Sequence, residues 1–500
     1  MVSFHFRKIP DADSNRTGYT APDSSTNTYT YDTLNRLSTL ANSWAGSFGF
    51  SYDALSRRTQ MTRPNGVSTS YSYDNLSRLL SVLHQLSGST IDGAVYTVDS
   101  AGNRTSKANE LANVTTNYGY DSIYELLQAT QGATTTESYT YDPVGNRLSS
   151  LGVSSYTNNS SNELTATSNA SYTFDSNGNT TSKTDSTGTT NYSWDYENRL
   201  TSVTLPNSGG TVTFKYDPFG RRIEKISPTT TSIFAYDGDN LIETVNASGG
   251  VVAHYTQTEN VDEPLAMQRG TTTSYYQQDG LGSVTSLTAS NGSVAQSYTY
   301  DSFGNTTSSS GSLTNFFRYT GRELDTETNL YYYRARYHDP ASGRFVSEDP
   351  GRFPGGINFY TYVENDPGDL VDPFGFCPWH VHYRPLKGFP GAGPLGLDHY
   401  YFYNTQTGQS IGLAPVNDTL AGPVPGKWET GEKPGHNLGP VPDWACKCVD
   451  NKAKHPGKPP NFCTFQGNGQ HNPHPPCTNC IGWVQAVLQD CYNQAYGGQQ

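Results

Sequence analysis

YTYDTLNRL at residues 29–37, FSYDALSRR at 50–58 and YSYDNLSRLL at 71–80 carry the pattern that decides the fold. Their Tyr-Asp pairs fall at 31, 52 and 73, a spacing of 21. The pattern continues at Tyr120-Asp121, Tyr141-Asp142, Phe174-Asp175, Trp194-Asp195, Tyr216-Asp217 and Tyr236-Asp237, with a weaker copy at Val98-Asp99. A fixed period of this length marks a repeat architecture. Tyr29 and Tyr31 are two residues apart, so both rings belong to one face of a strand. The Asp then opens a turn. In Asp142-Pro143-Val144-Gly145 and Asp217-Pro218-Phe219-Gly220 the second and fourth positions are Pro and Gly, as a type I turn prefers. Each unit is therefore a β-hairpin that cannot bury its aromatic face alone, and stacked neighbours solve that problem.

Composition agrees with a mainly β protein. Hydrophobic residues are only 34% of the 500, but 36 tyrosines and 49 glycines separate the chain from an acidic disordered one. Residues 1–376 hold 24 Lys/Arg and 38 Asp/Glu, a balance of -14, while residues 377–500 hold 8 and 7. An acidic repeat region argues against a nucleic-acid-binding surface there. No apolar run is long enough to span a membrane. The start, MVSFHFRKIPDADSNR, lacks the apolar core of a Sec signal peptide, so export by another route or through a missing N-terminal part is expected.

The repeats run into a different block, Arg318–Phe376: RYTGRELDTETNLYYYRARYHDPASGRFVSEDPGRFPGGINFYTYVENDPGDLVDPFGF. Its ordered matches are Tyr319-Thr320-Gly321, Tyr331 to Tyr337, Asp339-Pro340, Gly343-Arg344-Phe345, Asp349-Pro350, Asn365 to Pro367 and Asp372-Pro373-Phe374-Gly375. With them the block closely resembles the Rhs repeat-associated core that ends the YD-repeat shell of bacterial Rhs and toxin-complex C proteins. The resemblance implies a β-hairpin spiral closing into a hollow shell, the block as its plug, and a variable C-terminal effector. An open stalk is the competing architecture. The expected organisation is a polar, frayed segment at 1–28, repeat shell at 29–317, core at 318–376 and effector at 377–500.

The same resemblance implies self-cleavage between Phe376 and Cys377. Asp349 and Asp372 match the family's paired aspartates and Arg344 its arginine. Cutting a peptide without metal or other cofactor needs one carboxyl as acid and one as base, hence unequal proton affinities. Against this, Asp-Pro-x-Gly also makes ordinary turns, as at Asp142 and Asp217.

The tail holds 16 of 29 prolines, 7 of 11 histidines and all 7 cysteines. A strand pair is expected at 398–404 and 409–414, and a helix from Cys480, with Ile481, Val484, Leu488 and Cys491 on its apolar side. A cysteine at a helix start has a stabilised thiolate, and His399 on the strand pair is the candidate base. Histidine on a strand, Gly412 to Pro415 on the next, then Asn479-Cys480-x-x-Trp483 resembles permuted papain-like hydrolases and acyltransferases, implying a peptide or amide substrate. Three alternatives stand beside it. Six cysteines could form disulfides with one left over, in any of 15 pairings. Cys446, Cys448, Cys463, Cys477, Cys480, His471 and His474 could bind zinc, at spacings that fit no common finger. Pro476-Cys477-Thr478-Asn479-Cys480 is half of a zinc-deaminase motif whose His/Cys-x-Glu half is missing.

The sequence thus predicts a secreted or surface-held toxin of the Rhs type. An immunity protein, a secretion or toxin-complex component and a target-cell protein or peptide are its expected partners, and nucleic acid is not. The competing class is a non-enzymatic adhesion protein with a disulfide-bonded binding module as its tail.

Overall fold

In the computed structural model, residues 7–11, 15–351 and 358–376 are described, together with tail strands at 379–385, 398–404, 410–415, 426–430, 436–440, 461–462 and 477–478. The fold is mainly β. Fourteen antiparallel strands, Arg7–Pro10 through Arg147–Ser150, follow one another in chain order in one sheet. Sixteen more, Tyr156–Asn158 through Thr306–Gly311, form a second sheet in the same simple order. Every neighbour in sequence is a neighbour in space, as a tandem hairpin repeat requires. The 1–28 segment differs from the expected frayed start. It supplies the strands Arg7–Pro10 and Arg16–Thr20, and Thr26–Tyr31 begins within it. Tyr19 is buried there, and Arg16 pairs with Asp237 of the other sheet.

The Tyr-Asp pair explains the repeat. Asp32, Asp53, Asp74, Asp195 and Asp217 each accept from the backbone N–H groups two and four residues on. The second carboxylate oxygen takes the arginine at the fourth following position, at 2.5–2.8 Å for Arg36, Arg57, Arg78, Arg199 and Arg221. The residue before that arginine is left-handed: Asn35 at φ 56°, Ser56 at 62°, Ser77 at 66°, Asn198 at 59° and Gly220 at 80°. This is a three-residue hairpin loop, a type I turn closed by a bulge. The tyrosine before each Asp works between units. Tyr52 donates to the Leu37 carbonyl at 2.9 Å, Tyr73 to Arg58 at 3.0 Å, Tyr120 to Arg104 at 2.8 Å and Tyr216 to Leu200 at 2.7 Å. Trp194 does the same through Nε1, to Thr180 at 2.7 Å. Its arginines reach forward in turn, Arg36 to the Asp53 carbonyl and Arg57 to that of Asp74, both at 3.0 Å.

The two sheets share a core. Tyr19, Tyr29, Leu40, Phe48 and Met61 pack with Ile242, Leu265 and Tyr275. Ion pairs tie them as well, Arg58 to Glu263 and Lys107 to Asp279, the latter at 2.6 Å. Lysine and carboxylate in such a pair satisfy each other where either alone would be costly to bury.

Within the first of two compact units, residues 319–348 and 360–375 pack against both sheets. Their four antiparallel strands are Glu323–Asp325, Leu330–Tyr333, Arg336–Asp339 and Arg344–Phe345. Tyr331, Tyr333, Phe345 and Tyr362 pack with Leu126 and Tyr139 of the first sheet. Leu330, Tyr332 and Tyr337 pack with Leu200, Val212 and Phe214 of the second. Asp325 accepts from both Arg222 at 2.5 Å and Lys225 at 3.1 Å.

The chain divides into two compact units. One comprises residues 1–99, 103–348 and 360–375; the other is residues 100–102, 349–359 and 376–500. In the second, five antiparallel strands are ordered Gly426–Thr430, Ser410–Pro415, Asp398–Asn404, Trp379–Pro385, His436–Pro440. The expected strand pair is present, with Tyr401 opposite Gly412 and Phe402 opposite Ile411. The helix expected from Cys480 lies outside the described residues.

Candidate functional site at the end of the core block

The four residues Asp372–Gly375 are held from all sides. Strands Leu330–Tyr333 and Arg336–Asp339 are joined by Arg334-Ala335, and Tyr333 pairs with Arg336 across the turn. Arg334 is left-handed, at φ 59°. Its guanidinium is fully engaged, by Asp262 at 2.9 Å, by the Asp239 carbonyl at 3.0 Å and by the Pro373 carbonyl. The next N–H, of Ala335, donates to the Phe374 carbonyl at 3.1 Å. A single turn therefore binds two successive carbonyls of the Asp-Pro-Phe-Gly run.

Arg336 completes the clamp. Its Nη2 lies 3.1 Å from Asp372 Oδ2, and its Nε donates to the Gly375 carbonyl at 2.5 Å. The guanidinium is 2% exposed and stacks 3.6 Å above the Phe345 ring. The other oxygen, Oδ1, accepts from the N–H groups of Gly375 at 2.8 Å and Phe374 at 3.3 Å. Gly375 is at φ 71°, and a Cβ there would sit 2.3 Å from the Tyr333 carbonyl oxygen. Only glycine fits. The result is a carboxylate with both oxygens oriented, three residues before the carbonyl that the same arginine fixes.

Of the residues singled out in the sequence, Asp372 is in this clamp and Arg344 is elsewhere. Arg344 donates to Asn158 Oδ1 at 3.0 Å and the Asn162 carbonyl at 2.6 Å, and lies 4.7 Å over Tyr360. Burial lowers its guanidinium to about 10. The arginine that meets Asp372 is Arg336, on the strand paired with that of the sequence choice. Asp349 belongs to the second unit, is buried, and accepts from the Gly351 N–H at 2.6 Å. His399 stands on the strand Asp398–Asn404 opposite Arg384. Cys377 and Cys480 lie outside the described residues.

A second carboxyl pair was missed in the sequence. Val363, Glu364 and Asn365 are all left-handed, at φ 43°, 54° and 61°. Three such residues in succession cost about 1–2 kcal/mol each, most of all at a β-branched valine. They are held by Asn365, whose Nδ2 donates to Glu125 Oε1 and to the Gly145 carbonyl, both at 2.8 Å. The turn delivers Asp366 into the interior, 2% exposed and with both carboxyl oxygens lacking a hydrogen-bond partner. Burial first, and then the Asp369 charge, hold its proton affinity well above the usual carboxylate range. Asp369 is raised by burial too, though the Arg104 charge opposes this, and its Oδ2 accepts from the Arg104 N–H at 2.9 Å. Glu125, buried against Asn365, is pushed up to about 7. The available signal was the acidic spacing of three in Asp366-Pro367-Gly368-Asp369, which reads equally well as a turn.

Comparison with known proteins places this arrangement in context. The family model described as Teneurin YD-shell matches residues 96–368, and the RHS Repeat model matches 52–90. The chain is 34% identical over 289 residues to the tRNA3(Ser)-specific nuclease WapA of Bacillus spizizenii, covering 54% of this chain and 12% of that protein. It is 25% identical over 371 residues to the double-stranded DNA deaminase toxin A of Burkholderia cenocepacia, covering 62% of this chain and 25% of that one. Among solved structures, a TcdB2-TccC3-Cdc42 crystal structure superposes with a TM-score of 0.64 at 22% identity, over 75% of this chain and 22% of that chain. The chain thus spans only a small part of the length of the relatives it matches.

Proposed function

The chain belongs to the teneurin YD-shell family, and we propose that its repeat sheets and core block form the carrier of a toxin whose effector is residues 377–500. The observation that supports this reading best is the Arg336 clamp. It holds Asp372 and the Gly375 carbonyl in one rigid frame immediately before Phe376, where composition changes abruptly. In this reading the chain cuts itself between Phe376 and Cys377. Asp349 and Asp372 supply the acid and base, and Arg336 takes the anchoring role that the sequence assigned to Arg344. Held in a fixed geometry, one carboxyl takes a proton from the water that attacks the Phe376 carbonyl carbon, and the other gives a proton to the Cys377 nitrogen as the C–N bond breaks.

The released tail is then a Cys480–His399 hydrolase or acyltransferase acting on a peptide or amide bond of a target cell. An immunity protein protects the producer, and a secretion or toxin-complex component delivers the whole to the outside. A second reading is favoured by the relatives, one named a tRNA nuclease and another a DNA deaminase toxin. In that case the tail acts on nucleic acid.

The test begins with intact mass and N-terminal sequencing of the purified full chain. A fragment starting at Cys377 is expected, and it should vanish in Asp372→Asn; a wild type that stays whole removes the self-cleavage proposal. The full chain expressed in a susceptible cell then separates the two effector readings. Loss of toxicity in Cys480→Ala with intact tRNA and DNA supports the hydrolase, whereas cleaved or deaminated nucleic acid in the poisoned cells supports the second reading.

A further inference from the structure

Away from the core block, the geometry points to a divalent transition-metal site, zinc by preference, formed by Asp23, Glu243 and His254. Glu243 and His254 are directly opposite on the antiparallel strands Asn240–Val245 and Val251–Gln257, so their side chains share one face. Asp23 comes from the first sheet, in the turn between Arg16–Thr20 and Thr26–Tyr31. Ser25 donates to Asp23 Oδ1 from its N–H at 2.9 Å and its hydroxyl at 2.7 Å, which turns Oδ2 towards His254.

His254 Nδ1 lies 3.2 Å from Asp23 Oδ2 and 3.4 Å from Glu243 Oε1. One donor atom from each residue falls within 4.8 Å of the other two. Metal–ligand bonds of about 2.0–2.2 Å around a tetrahedral ion put neighbouring ligand atoms roughly 3.3–3.6 Å apart. Two of the three edges are therefore already near that length, and a small closure of the Asp23 turn sets the third. Glu243 supplies the independent sign of a ligand. Its side chain is 3% exposed, and Oε1 has no hydrogen-bond partner although it faces the imidazole. A buried carboxylate oxygen left unpaired is costly, and a cation removes that cost. One imidazole and two carboxylates suit zinc, and manganese or iron(II) less tightly by the usual order of affinities. The Trp44 ring, 6.0 Å from the imidazole, covers one side. Such an ion would fasten the first sheet to the second.

The experiment uses the full chain, dialysed against Zn2+ and assayed for bound metal by mass spectrometry. Cysteines and histidines in the tail bind zinc equally in every variant, so the difference between wild type and variant reads this site alone. Wild type should hold one more equivalent than Glu243→Gln or His254→Ala. Zinc should also raise the wild-type melting temperature by several degrees more than that of either variant. If His254→Ala fails to fold by near-ultraviolet circular dichroism, Asp23→Asn in its exposed turn decides. Equal stoichiometry and equal thermal shifts in wild type and Asp23→Asn or Glu243→Gln would overturn the site, leaving an imidazole flanked by two carboxylates.

Discussion

Two stretches of this chain share one local sequence and meet opposite fates. Asp217-Pro218-Phe219-Gly220 ends a repeat hairpin, and Asp372-Pro373-Phe374-Gly375 ends the core block. In the first, the Gly220 N–H bonds to the Asp217 carbonyl at 3.0 Å, and the aspartate's arginine is four residues away. Phe219 is 82% exposed, and a Cβ on Gly220 would meet nothing. In the second, the Gly375 N–H bonds to the Asp372 side chain, the arginine is 36 residues upstream, and Phe374 is 8% exposed. The pattern Asp-Pro-Phe-Gly licenses a turn in both places. Whether the turn is surface punctuation or a clamp is decided by what the tertiary structure brings to it.

The contrast sets a series of substitutions in pairs. Arg336→Ala takes the guanidinium away from the buried Asp372 carboxylate and should destabilise the chain by about 3–5 kcal/mol in urea unfolding. Arg221→Ala at its surface counterpart should cost under about 1 kcal/mol. Similar losses for the two would erase the distinction. Phe374→Ala should cost about 3 kcal/mol or more through the cavity left behind, while Phe219→Ala should stay within about 0.5 kcal/mol. Gly375→Ala adds a steric clash to a left-handed backbone and should cost about 2–4 kcal/mol; Gly220→Ala pays only the backbone term, about 1–2 kcal/mol. A crystal structure of each alanine variant would show whether the Tyr333 carbonyl moves, as it must in the first and need not in the second.

The smallest effect is one of pH. At the turn position that carries arginine in Arg36, Arg57, Arg78, Arg199 and Arg221, the turn opened by Asp121 carries Glu125. Its folded-state affinity is raised to about 7 by burial, above the ordinary value near 4.5. The native state therefore holds a proton that the unfolded chain releases. The associated stability is complete below about pH 4.5 and is lost as pH rises through about 7. Glu125→Gln should flatten the fall in melting temperature over that interval, whereas Glu263→Gln acts at the other end. Glu263 is lowered to about 2, its burial outweighed by the Arg58 charge, so its contribution disappears only as pH falls below about 4.5 towards 2.

These comparisons show what could be read from residues alone. Periodicity, alternation and turn chemistry are local, and they located the hairpins and even the strand pair around Tyr401 and Gly412, while the core block was found by its resemblance to a known family. The partner of a buried aspartate is not local. Arg344 and Arg336 stand eight residues apart on neighbouring strands of the same small sheet, and only the pairing of Tyr333 with Arg336 shows which one faces Asp372. Asp366 was hidden for a related reason. Asn-Asp-Pro-Gly is turn vocabulary, and its burial depends on three left-handed residues that no propensity favours. The beginning of the chain misled in the opposite sense. Its polar residues suggested fraying, but Tyr19 and Tyr29 are buried against residues of the other sheet, and a half-buried strand needs few apolar residues.

The hydroxyl ladder carries a consequence for how such chains vary over generations. Each repeat both gives and receives the same bonds: Tyr52 reaches back to Leu37 as Tyr73 does to Arg58, and Arg36 reaches forward to Asp53 as Arg57 does to Asp74. Cutting the gene at equivalent points and pasting in another 21 codons would leave every donor with an acceptor, because the new unit presents the same ends as the one it displaces. Units of 20 or 22 residues are tolerated as well, since Trp194, Tyr216 and Tyr236 still bond back to Thr180, Leu200 and Arg222. Recombination in whole repeats is therefore nearly free of structural penalty here, and the sheets can lengthen or shorten without redesigning the core block packed against them.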